Sequence, residues 1–335
     1  MVLEKYHGLG NDYLVFDPQR NAGEPELTPA RARLICDRNY GAGSDGILVG
    51  PLFAGLHDGG CGSDIAGGSG GSGGSDGFGC AHGKPGVRII NPDGSEAEKS
   101  GNGVRIFAAY LRDFGYVDGA PFTLGTLGGD VAVEFLKAAD GGVQGGACGG
   151  VPGGVQCNGD KVVRVDMGRA TFWSDEIPVS GARREVVDEP MDFGGSTYRA
   201  TCVSVGNPHC VIMAGQADIP TKERALALGP LVERSPMFPN RINMQLACVL
   251  SRSEMRIEIF ERGAGYTLAS GTSACAAACA AFRLGFVDAE VAVLMPGGAL
   301  RIEIDGGWQV RMTGAVSRVC AITFAGSFME ELWRR

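Results

Sequence analysis

The sequence predicts an α/β protein of two related halves, each a sheet curled around one long helix. Two observations carry this prediction: an internal repeat, and many short strand patterns with few helical ones. The repeat relates SGNGVRIFAAYLRDFGYVD, which begins at Ser100, to SGTSACAAACAAFRLGFVD, which begins at Ser270. Aligned without a gap at an offset of 170, Ser100 meets Ser270 and Gly115 meets Gly285. Internal duplication explains this match and makes each copy the central helix of one half.

The strand patterns are short runs rich in β-branched residues, bounded by Gly, Pro, Asp or Asn. In chain order they are DYLVFD, GILVG, VRII, VAVEFL, KVVRVDMG, CVSVG, HCVIMAG, MQLACVL, MRIEIFERG, AVLMPGGALRIEID and WQVRMTG. Helical patterns cover residues 28–37, 101–114, 222–232 and 271–284. The alternation of many strands with one long helix occurs twice, as two similar halves require.

The length of 335 residues favours about two domains. We place the N-terminal half at 1–140, with a Gly-rich insertion at about 55–87, and the C-terminal half at 160–315. Residues 141–159 form a Gly-rich loop or linker, and residues 316–335 return to the N-terminal half. Segments so rich in Gly and Ser bury too little apolar surface to offset the entropy of ordering, which predicts surface loops.

Composition excludes several classes of partner. The net charge is −8 and the 30 basic residues are scattered, so we expect no nucleic acid and instead a small-molecule ligand. No run reaches the roughly 18 apolar residues of a membrane helix, and the N-terminal stretch has no apolar signal core, which predicts a cytoplasmic protein without membrane contact. The eleven cysteines include the pairs Cys61/Cys80 and Cys148/Cys157, but none has the Cys-x-x-Cys spacing of structural zinc, so we expect no metal.

The two repeated helices begin with residues suited to binding an anion. The first N–H groups of a helix lack intrahelical partners and carry about half a positive charge. Gly101 lets the backbone approach a ligand closely, Asn102 adds an amide, and Thr272 adds a hydroxyl in the second copy. The alternative is that Ser100 and Ser270 are simply N-caps, for which serine is well suited.

The equivalent positions of the two serines in the repeat favour a catalytic role for both. Asn91 and Glu261 precede the two helices at the same offset of 170. If the halves face each other, Ser100 and Ser270 lie on opposite sides of one cleft. A racemase or epimerase needs this geometry, because one face of a carbon loses a proton while the other gains one.

Six motifs give the chain a resemblance to a known family. In order they are HGLGNDYLVFD at His7, RIINPDGSEAEKSGNGVR at Arg88, VRVDMG at Val163, SVGNPHCVI at Ser204, NRINMQ at Asn240 and ERGAGYTLASGTSAC at Glu261. With these motifs the chain resembles the diaminopimelate epimerase family over nearly its whole length, the two Gly-rich insertions excepted. The resemblance implies a cofactor-free enzyme, usually a homodimer, with two mainly antiparallel halves and an amino-acid substrate between them. It also implies inversion of one α-carbon of LL-diaminopimelate to the meso form, for lysine and cell-wall synthesis.

The resemblance further implies substrate-binding roles for ten residues. Those that would hold the distal amino-acid end are Asn11, Asn91, Asn207 and Asn243. The pair that would bind charged groups is Glu261 and Arg262. The helix-start residues that would grip the reacting carboxylate are Gly101, Asn102, Gly271 and Thr272. His209 is better interpreted as a hydrogen-bonded structural residue.

The chain departs from the family where proton transfer occurs. The family has cysteines at the positions of Ser100 and Ser270, which we assign as the catalytic residues here. A thiol titrates near 8.5 and its pKa can be lowered at a helix N-terminus, so a thiolate is accessible at neutral pH. A serine hydroxyl instead needs an adjacent base or strong electrostatic help. Gly46, Tyr266 and Leu268 also replace residue types common in the family, which leaves the substrate open.

Three interpretations follow. The first is an amino-acid epimerase acting on diaminopimelate or a related diamino acid, using the serines directly or with a neighbouring base. The second is a racemase, one-base isomerase or dehydratase acting on another small amino or imino acid. The third is a relative that binds a carboxylate ligand and has lost the acid and base.

Overall fold

The computed structural model describes residues 1–24, 26–53, 83–136, 161–215 and 218–335. Within these ranges the helices are α1 Pro29–Cys36, α2 Gly101–Asp113, α3 Lys222–Glu233, α4 Gly271–Arg283 and α5 Gly326–Arg334. The strands are β1 Val2–Gly8, β2 Asn11–Phe16, β3 Ile47–Phe53, β4 Pro85–Ile90, β5 Glu96–Ala97, β6 Phe122–Thr126, β7 Gly129–Leu136, β8 Lys161–Arg169, β9 Glu189–Phe193, β10 Ser196–Ser204, β11 Pro208–Met213, β12 Asn243–Ser251, β13 Glu254–Glu261, β14 Gly265–Thr267, β15 Glu290–Met295, β16 Gly298–Ile304 and β17 Gln309–Thr323.

The N-terminal half closes into a ring of hydrogen-bonded strands. Around the ring the order is β1, β2, β3, β4, β6, β7, β8 and β17, and β17 pairs back with β1. The β2–β3 and β4–β6 pairs are parallel and the others are antiparallel. Helix α2 lies inside the ring, because it packs against β1, β2, β3, β7, β8 and β17.

The C-terminal half repeats this arrangement around α4. Its ring runs β10, β11, β12, β13, β15, β16 and β17, with parallel pairs at β11–β12 and β13–β15. Thr171, just beyond β8, bridges Ser204 of β10 and closes the ring. The pairing of β8 with β17 joins the two rings, and residues 317–323 of β17 pair with β1 of the first.

Strand register shows that the halves are copies of one unit. Leu14 pairs with Ile47 in the first ring, and Cys210 pairs with Met244 at the same place in the second. Other pairs follow the same correspondence between β4–β5 and β13–β14, and between β6–β7 and β15–β16. The predicted α/β fold of two similar halves, each a mainly antiparallel sheet around one helix, is therefore confirmed.

The Gly-aromatic ends that the two repeated segments share have a common physical cause. Gly115 and Gly285 both have φ of +75°, a left-handed conformation that glycine adopts without strain. The amides of Tyr116 and Phe286 then bond to carbonyls five residues earlier, at 2.8 and 2.9 Å. This is the Schellman end of a helix, and it explains why each copy finishes with Gly followed by an aromatic residue.

The two central helices are buried on all sides. Every residue from Gly101 to Leu111 is buried, as are Gly271 and residues 273–281. A helix that is apolar around its whole circumference belongs inside a core rather than on a surface. The small side chains of α4, chiefly Ala with Cys275 and Cys279, let the surrounding strands approach closely.

Some elements differ from the sequence prediction. Helix α5 and strands β1, β5, β6, β9 and β14 were not predicted. Strand β4 begins at Pro85, inside the insertion predicted at about 55–87. Most of both Gly-rich segments, with the pairs Cys61/Cys80 and Cys148/Cys157, lies outside the described residues. Among the helices of the described ranges, none has the length and apolar character needed to cross a membrane.

Candidate active site

Ser100 and Ser270 are the N-caps of the two central helices. Ser100 Oγ accepts a hydrogen bond from the Gly103 amide at 3.1 Å, and Ser270 Oγ accepts one from the Ser273 amide at 3.4 Å. Both serines have extended backbone, as N-caps require. Since each hydroxyl only accepts in its capping bond, its own proton is still available for donation. Capping and proton transfer are therefore compatible at both positions.

The first residues of α2 and α4 meet around Met312. A Cβ built on Gly101 would lie 2.7 Å from Met312 Cε, and one built on Gly271 would lie 2.9 Å from Met312 Sδ. The Asn102 side-chain oxygen would lie 3.6 Å from the same Cβ on Gly271. Any larger residue at either glycine would force these groups apart. The two helix N-termini therefore converge on one region.

An asparagine fixes each helix start at equivalent places in the two halves. Asn102 donates to Asn11 Oδ1 at 3.0 Å, and Asn207 donates to Thr272 Oγ1 at 3.4 Å. Asn11 itself donates to Asp45 Oδ2 at 2.9 Å. Four of the predicted substrate-binding side chains are thus brought together in two pairs.

His209 anchors Asn207 from within the second ring. The imidazole is fully buried, and its Nε2 lies 2.8 Å from Asn207 Oδ1 while Gln245 donates to Nδ1 at 3.0 Å. Gln245 also donates to Ser273 Oγ at 3.0 Å. Burial lowers the pKa of His209 to about 3, so the ring is neutral and carries its proton on Nε2. Gln245 was not singled out from the sequence, because it lies in the apolar run MQLACVL.

Asn243, Arg262 and Glu261 lie where β12 begins and β13 ends. Asn243 Oδ1 accepts from the Arg262 amide at 2.9 Å, and its Nδ2 donates to the Pro208 carbonyl at 2.9 Å. The Arg262 guanidinium is exposed and donates to the Asn240 carbonyl at 3.2 Å. Asn243 thus orders the chain that carries Arg262.

Glu261 is the carboxylate beside Ser270. Burial raises the pKa of Glu261 above its ordinary value of 4.5, and the nearby Ser270 hydroxyl opposes that rise. Asn91, which aligns with Glu261 at the offset of 170, instead donates to Ser95 Oγ at 3.0 Å within its own turn. The two halves therefore present different groups at this equivalent position.

Tyr13 is a site residue that the sequence did not reveal. Its phenol oxygen lies 3.2 Å from Ser100 Oγ, and its ring is buried in the core around α2. Burial raises the pKa of Tyr13 to about 12, so the phenol keeps its proton at neutral pH. In the strand pattern DYLVFD a tyrosine is an ordinary strand residue, and only the fold brings it to Ser100.

Arg105 is fully buried one turn into α2. Its guanidinium donates to Asn102 Oδ1 and, at 3.1 Å, to the Ala315 carbonyl, and within the described structure Nε has no hydrogen-bond partner. Burial lowers the pKa of Arg105 to about 10, so it remains a cation at neutral pH. Cys275 stands at the equivalent position of α4, and burial raises the pKa of its thiol to about 12 while Lys99 and Arg105 oppose the rise. Cys275 is therefore a neutral thiol.

Solved structures share this fold. A hydroxyproline epimerase from Agrobacterium vitis with bound trans-4-hydroxy-L-proline matches with a TM-score of 0.60 and 13% identity, over 96% of this chain and 91% of that chain. A phenazine biosynthesis protein of the PhzF family from Enterococcus faecalis matches with a TM-score of 0.55 and 11% identity, over 97% of this chain and 99% of that chain. These structures and this chain therefore share one fold, which the hydroxyproline epimerase shows to be an epimerase fold.

Sequence relatives define the family. The family model for diaminopimelate epimerase matches residues 81–148 and 201–319. Diaminopimelate epimerase 2 of Nostoc sp. (strain PCC 7120 / SAG 25.82 / UTEX 2576) is 42% identical over 319 residues, which cover 95% of this chain and 94% of the relative. Diaminopimelate epimerase of Pelotomaculum thermopropionicum is 36% identical over 329 residues, which cover 98% of this chain and 99% of the relative. The chain belongs to the diaminopimelate epimerase family.

Proposed function

We propose that this chain interconverts LL- and meso-diaminopimelate without a cofactor, by proton transfer at the α-carbon with Ser100 and Ser270 on its two sides. The observation that carries the proposal is the convergence of two serine-capped helix N-termini around Met312. Family membership supports the same activity, since relatives at 36–42% identity over nearly the whole chain are diaminopimelate epimerases.

The reacting carboxylate binds between the two helix starts. The amides of Gly101 and Asn102 approach it from one half, and those of Gly271 and Thr272 approach it from the other. Free N–H groups and the aligned helix dipoles favour an anion there. Arg105 adds a buried positive charge through its bond to Asn102. This cationic environment stabilises the negative charge that spreads onto the carboxylate when the α-proton leaves.

Glu261 is the base that activates Ser270. As the Ser270 oxygen takes the α-proton, the hydroxyl proton passes to the Glu261 carboxylate, and the C–H electron pair stays on the α-carbon. The raised pKa of Glu261 brings this carboxylate closer to the working pH, where a general base is most effective. This arrangement supplies the adjacent base that a serine requires in place of a cysteine.

The remaining predicted residues bind the rest of the substrate. Asn11, Asn91, Asn207 and Asn243 contribute side-chain amides for the distal amino-acid end. Glu261 and Arg262 are adjacent where β13 ends, and the exposed guanidinium of Arg262 can exchange its bond to the Asn240 carbonyl for one to a substrate carboxylate. We also propose that the enzyme works in the cytoplasm and forms a homodimer. Sedimentation of the purified chain would test the dimer.

The deciding experiment is α-proton exchange in heavy water, followed by NMR with LL-diaminopimelate. Exchange with inversion supports the proposal. Exchange without inversion, or loss of water from the substrate, indicates another isomerase or a dehydratase. Protection of the protein by the ligand without any exchange indicates a binding protein that has lost its acid and base.

A further inference from the structure

The two serine hydroxyls of the site have chemically different neighbours. Ser100 Oγ lies 3.2 Å from the Tyr13 phenol oxygen. Ser270 Oγ lies 3.4 Å from Thr272 Oγ1, and Ser270 is the side chain that opposes the rise that burial causes in the pKa of the Glu261 carboxylate. One hydroxyl is thus paired with a weak acid and the other with a base. The pseudo-symmetry of the fold does not extend to the proton chemistry.

The geometry at Ser100 lets its proton face the substrate when the Tyr13 phenol is the donor of the bond between them. The Ser100 oxygen accepts from the Gly103 amide at 3.1 Å, and the Tyr13 phenol at 3.2 Å can donate a second hydrogen bond into its other acceptor position. Tyr13 is 7% exposed, so the phenol faces this hydroxyl rather than bulk water. A phenol that stays protonated at neutral pH can donate to Ser100 but cannot act as its base.

We propose that Tyr13 positions Ser100 and restores its proton, so that Ser100 is the proton donor of the site and Ser270 the proton acceptor in the resting enzyme. This inference rests on the proposed epimerase function. It assigns opposite proton-transfer roles to two residues of the same type. It also gives Tyr13 a function in the reaction beyond packing in the core.

The proton movements balance. On the Ser270 side the α-proton moves to the serine oxygen, the serine proton moves to Glu261, and the C–H electron pair stays on carbon. On the Ser100 side that pair takes the serine proton to form the new C–H bond, and the phenol proton of Tyr13 moves to Ser100 Oγ. Proton exchange with water then returns Glu261 to carboxylate and Tyr13 to phenol. The reverse reaction starts from the minor form with Tyr13 deprotonated and Glu261 protonated.

The test is Tyr13→Phe, which removes one oxygen and keeps the buried ring. The isomer whose α-proton faces Ser270 is incubated in heavy water, and NMR measures exchange and inversion separately. We expect inversion to fall by about 100-fold, the scale of general acid catalysis. Exchange with retention should stay within about threefold of wild type, since Ser270 and Glu261 are untouched. A purely structural effect of the substitution would lower exchange and inversion together.

Tyr6→Phe is the matched control. Tyr6 pairs with Tyr13 across β1 and β2, is also buried in the same core, and donates a hydrogen bond to Asp113 at 2.8 Å. We expect this variant to keep the wild-type ratio of inversion to exchange. The inference is overturned if Tyr13→Phe keeps full inversion, or if its exchange and inversion fall by the same factor. A wild-type enzyme with no exchange at all would instead refute the proposed function, and the inference with it.

Discussion

Arg105 donates a hydrogen bond to the side-chain oxygen of Asn102 from a fully buried position three residues further along the same helix. Its partners in the described structure are the Asn102 amide oxygen and the Ala315 carbonyl, both neutral. A buried cation without a carboxylate partner is costly, which indicates that the charge serves a purpose. An anionic substrate at the adjacent helix starts would supply the missing negative charge.

Arg105→Met tests this role. We expect KM for diaminopimelate to rise about tenfold, corresponding to about 1.4 kcal/mol, because Asn102 loses its anchor and the carboxylate site loses a positive charge. Steady-state kinetics at several salt concentrations measure the effect. Arg112→Met is the control, because Arg112 lies on the exposed last turn of the same helix and stacks on Phe135. An unchanged KM in Arg105→Met would show that the cation only ties α2 to β17.

The two serines are tested by replacing each with Cys and with Ala. We expect Ser100→Cys and Ser270→Cys to keep or raise epimerase activity, because a thiol ionises far more readily than a hydroxyl. Either Ala variant should lose inversion. Exchange and inversion assays in heavy water measure both outcomes.

Loss of an N-cap must be separated from loss of a proton carrier. Ala at an N-cap costs about 1 kcal/mol of stability. Thr221→Ala provides the comparison, because Thr221 caps α3 through a bond from the Arg224 amide at 3.4 Å and is not part of the proposed site. It should lose similar stability and keep its activity. Full activity in both Ser→Ala variants would remove the serines from the mechanism.

The fold could be predicted largely because the duplication is visible in the sequence. Around the central helices the halves align at a constant offset of 170, and both copies keep the Ser-Gly start and the Gly-aromatic end. These features reflect local chemistry, namely an N-cap, a close helix approach and a left-handed glycine. Most of the strands could be predicted from runs rich in β-branched residues. That β17 pairs with strands of both rings could not be predicted, because long-range pairing leaves no local pattern.

The site could be predicted only in part. The serines and asparagines occur in polar, Gly-rich motifs, where such residues attract notice. Tyr13 and Gln245 lie in apolar strand runs, so nothing local distinguishes them from core residues. Their contacts with Ser100 and Ser273 join strands to helices that are distant in the chain. Tyr13 and His209 occupy equivalent places, each one residue before the matched Leu14 and Cys210. This equivalence was hidden in the sequence, because the first Gly-rich insertion changes the offset between β2 and β11.

Arg262→Ala addresses substrate binding at the exposed edge of the site. We expect KM to rise at least about tenfold with a smaller change in kcat, since a charge-assisted bond to a substrate carboxylate is lost. Arg241→Ala is a suitable control, because Arg241 is also exposed nearby but pairs with Glu233 at 3.6 Å. If Arg262→Ala keeps the wild-type KM, Arg262 does not bind the substrate.

His209 should make the folded protein less stable as the pH falls. The folded pKa is about 3 and the ordinary value is 6.5, so below pH 6.5 the unfolded chain takes up a proton that the folded protein does not. The free energy of unfolding should therefore fall by up to about 1.4 kcal/mol per pH unit from this group, until the pH approaches the folded pKa. Above pH 6.5 the group contributes no pH dependence. Urea unfolding between pH 4 and 7.5 would measure the slope.

The control for this prediction compares two substitutions. His209→Gln should flatten the acid slope relative to wild type, whatever it costs in absolute stability. His7→Gln should change the slope less, because His7 is partly exposed at the end of β1 and is only partly shielded from water. NMR titration of the labelled imidazoles gives an independent measurement. A His209 ring that titrates near 6.5, or an unchanged slope in His209→Gln, would show that this imidazole is hydrated and not locked into the network that positions Asn207.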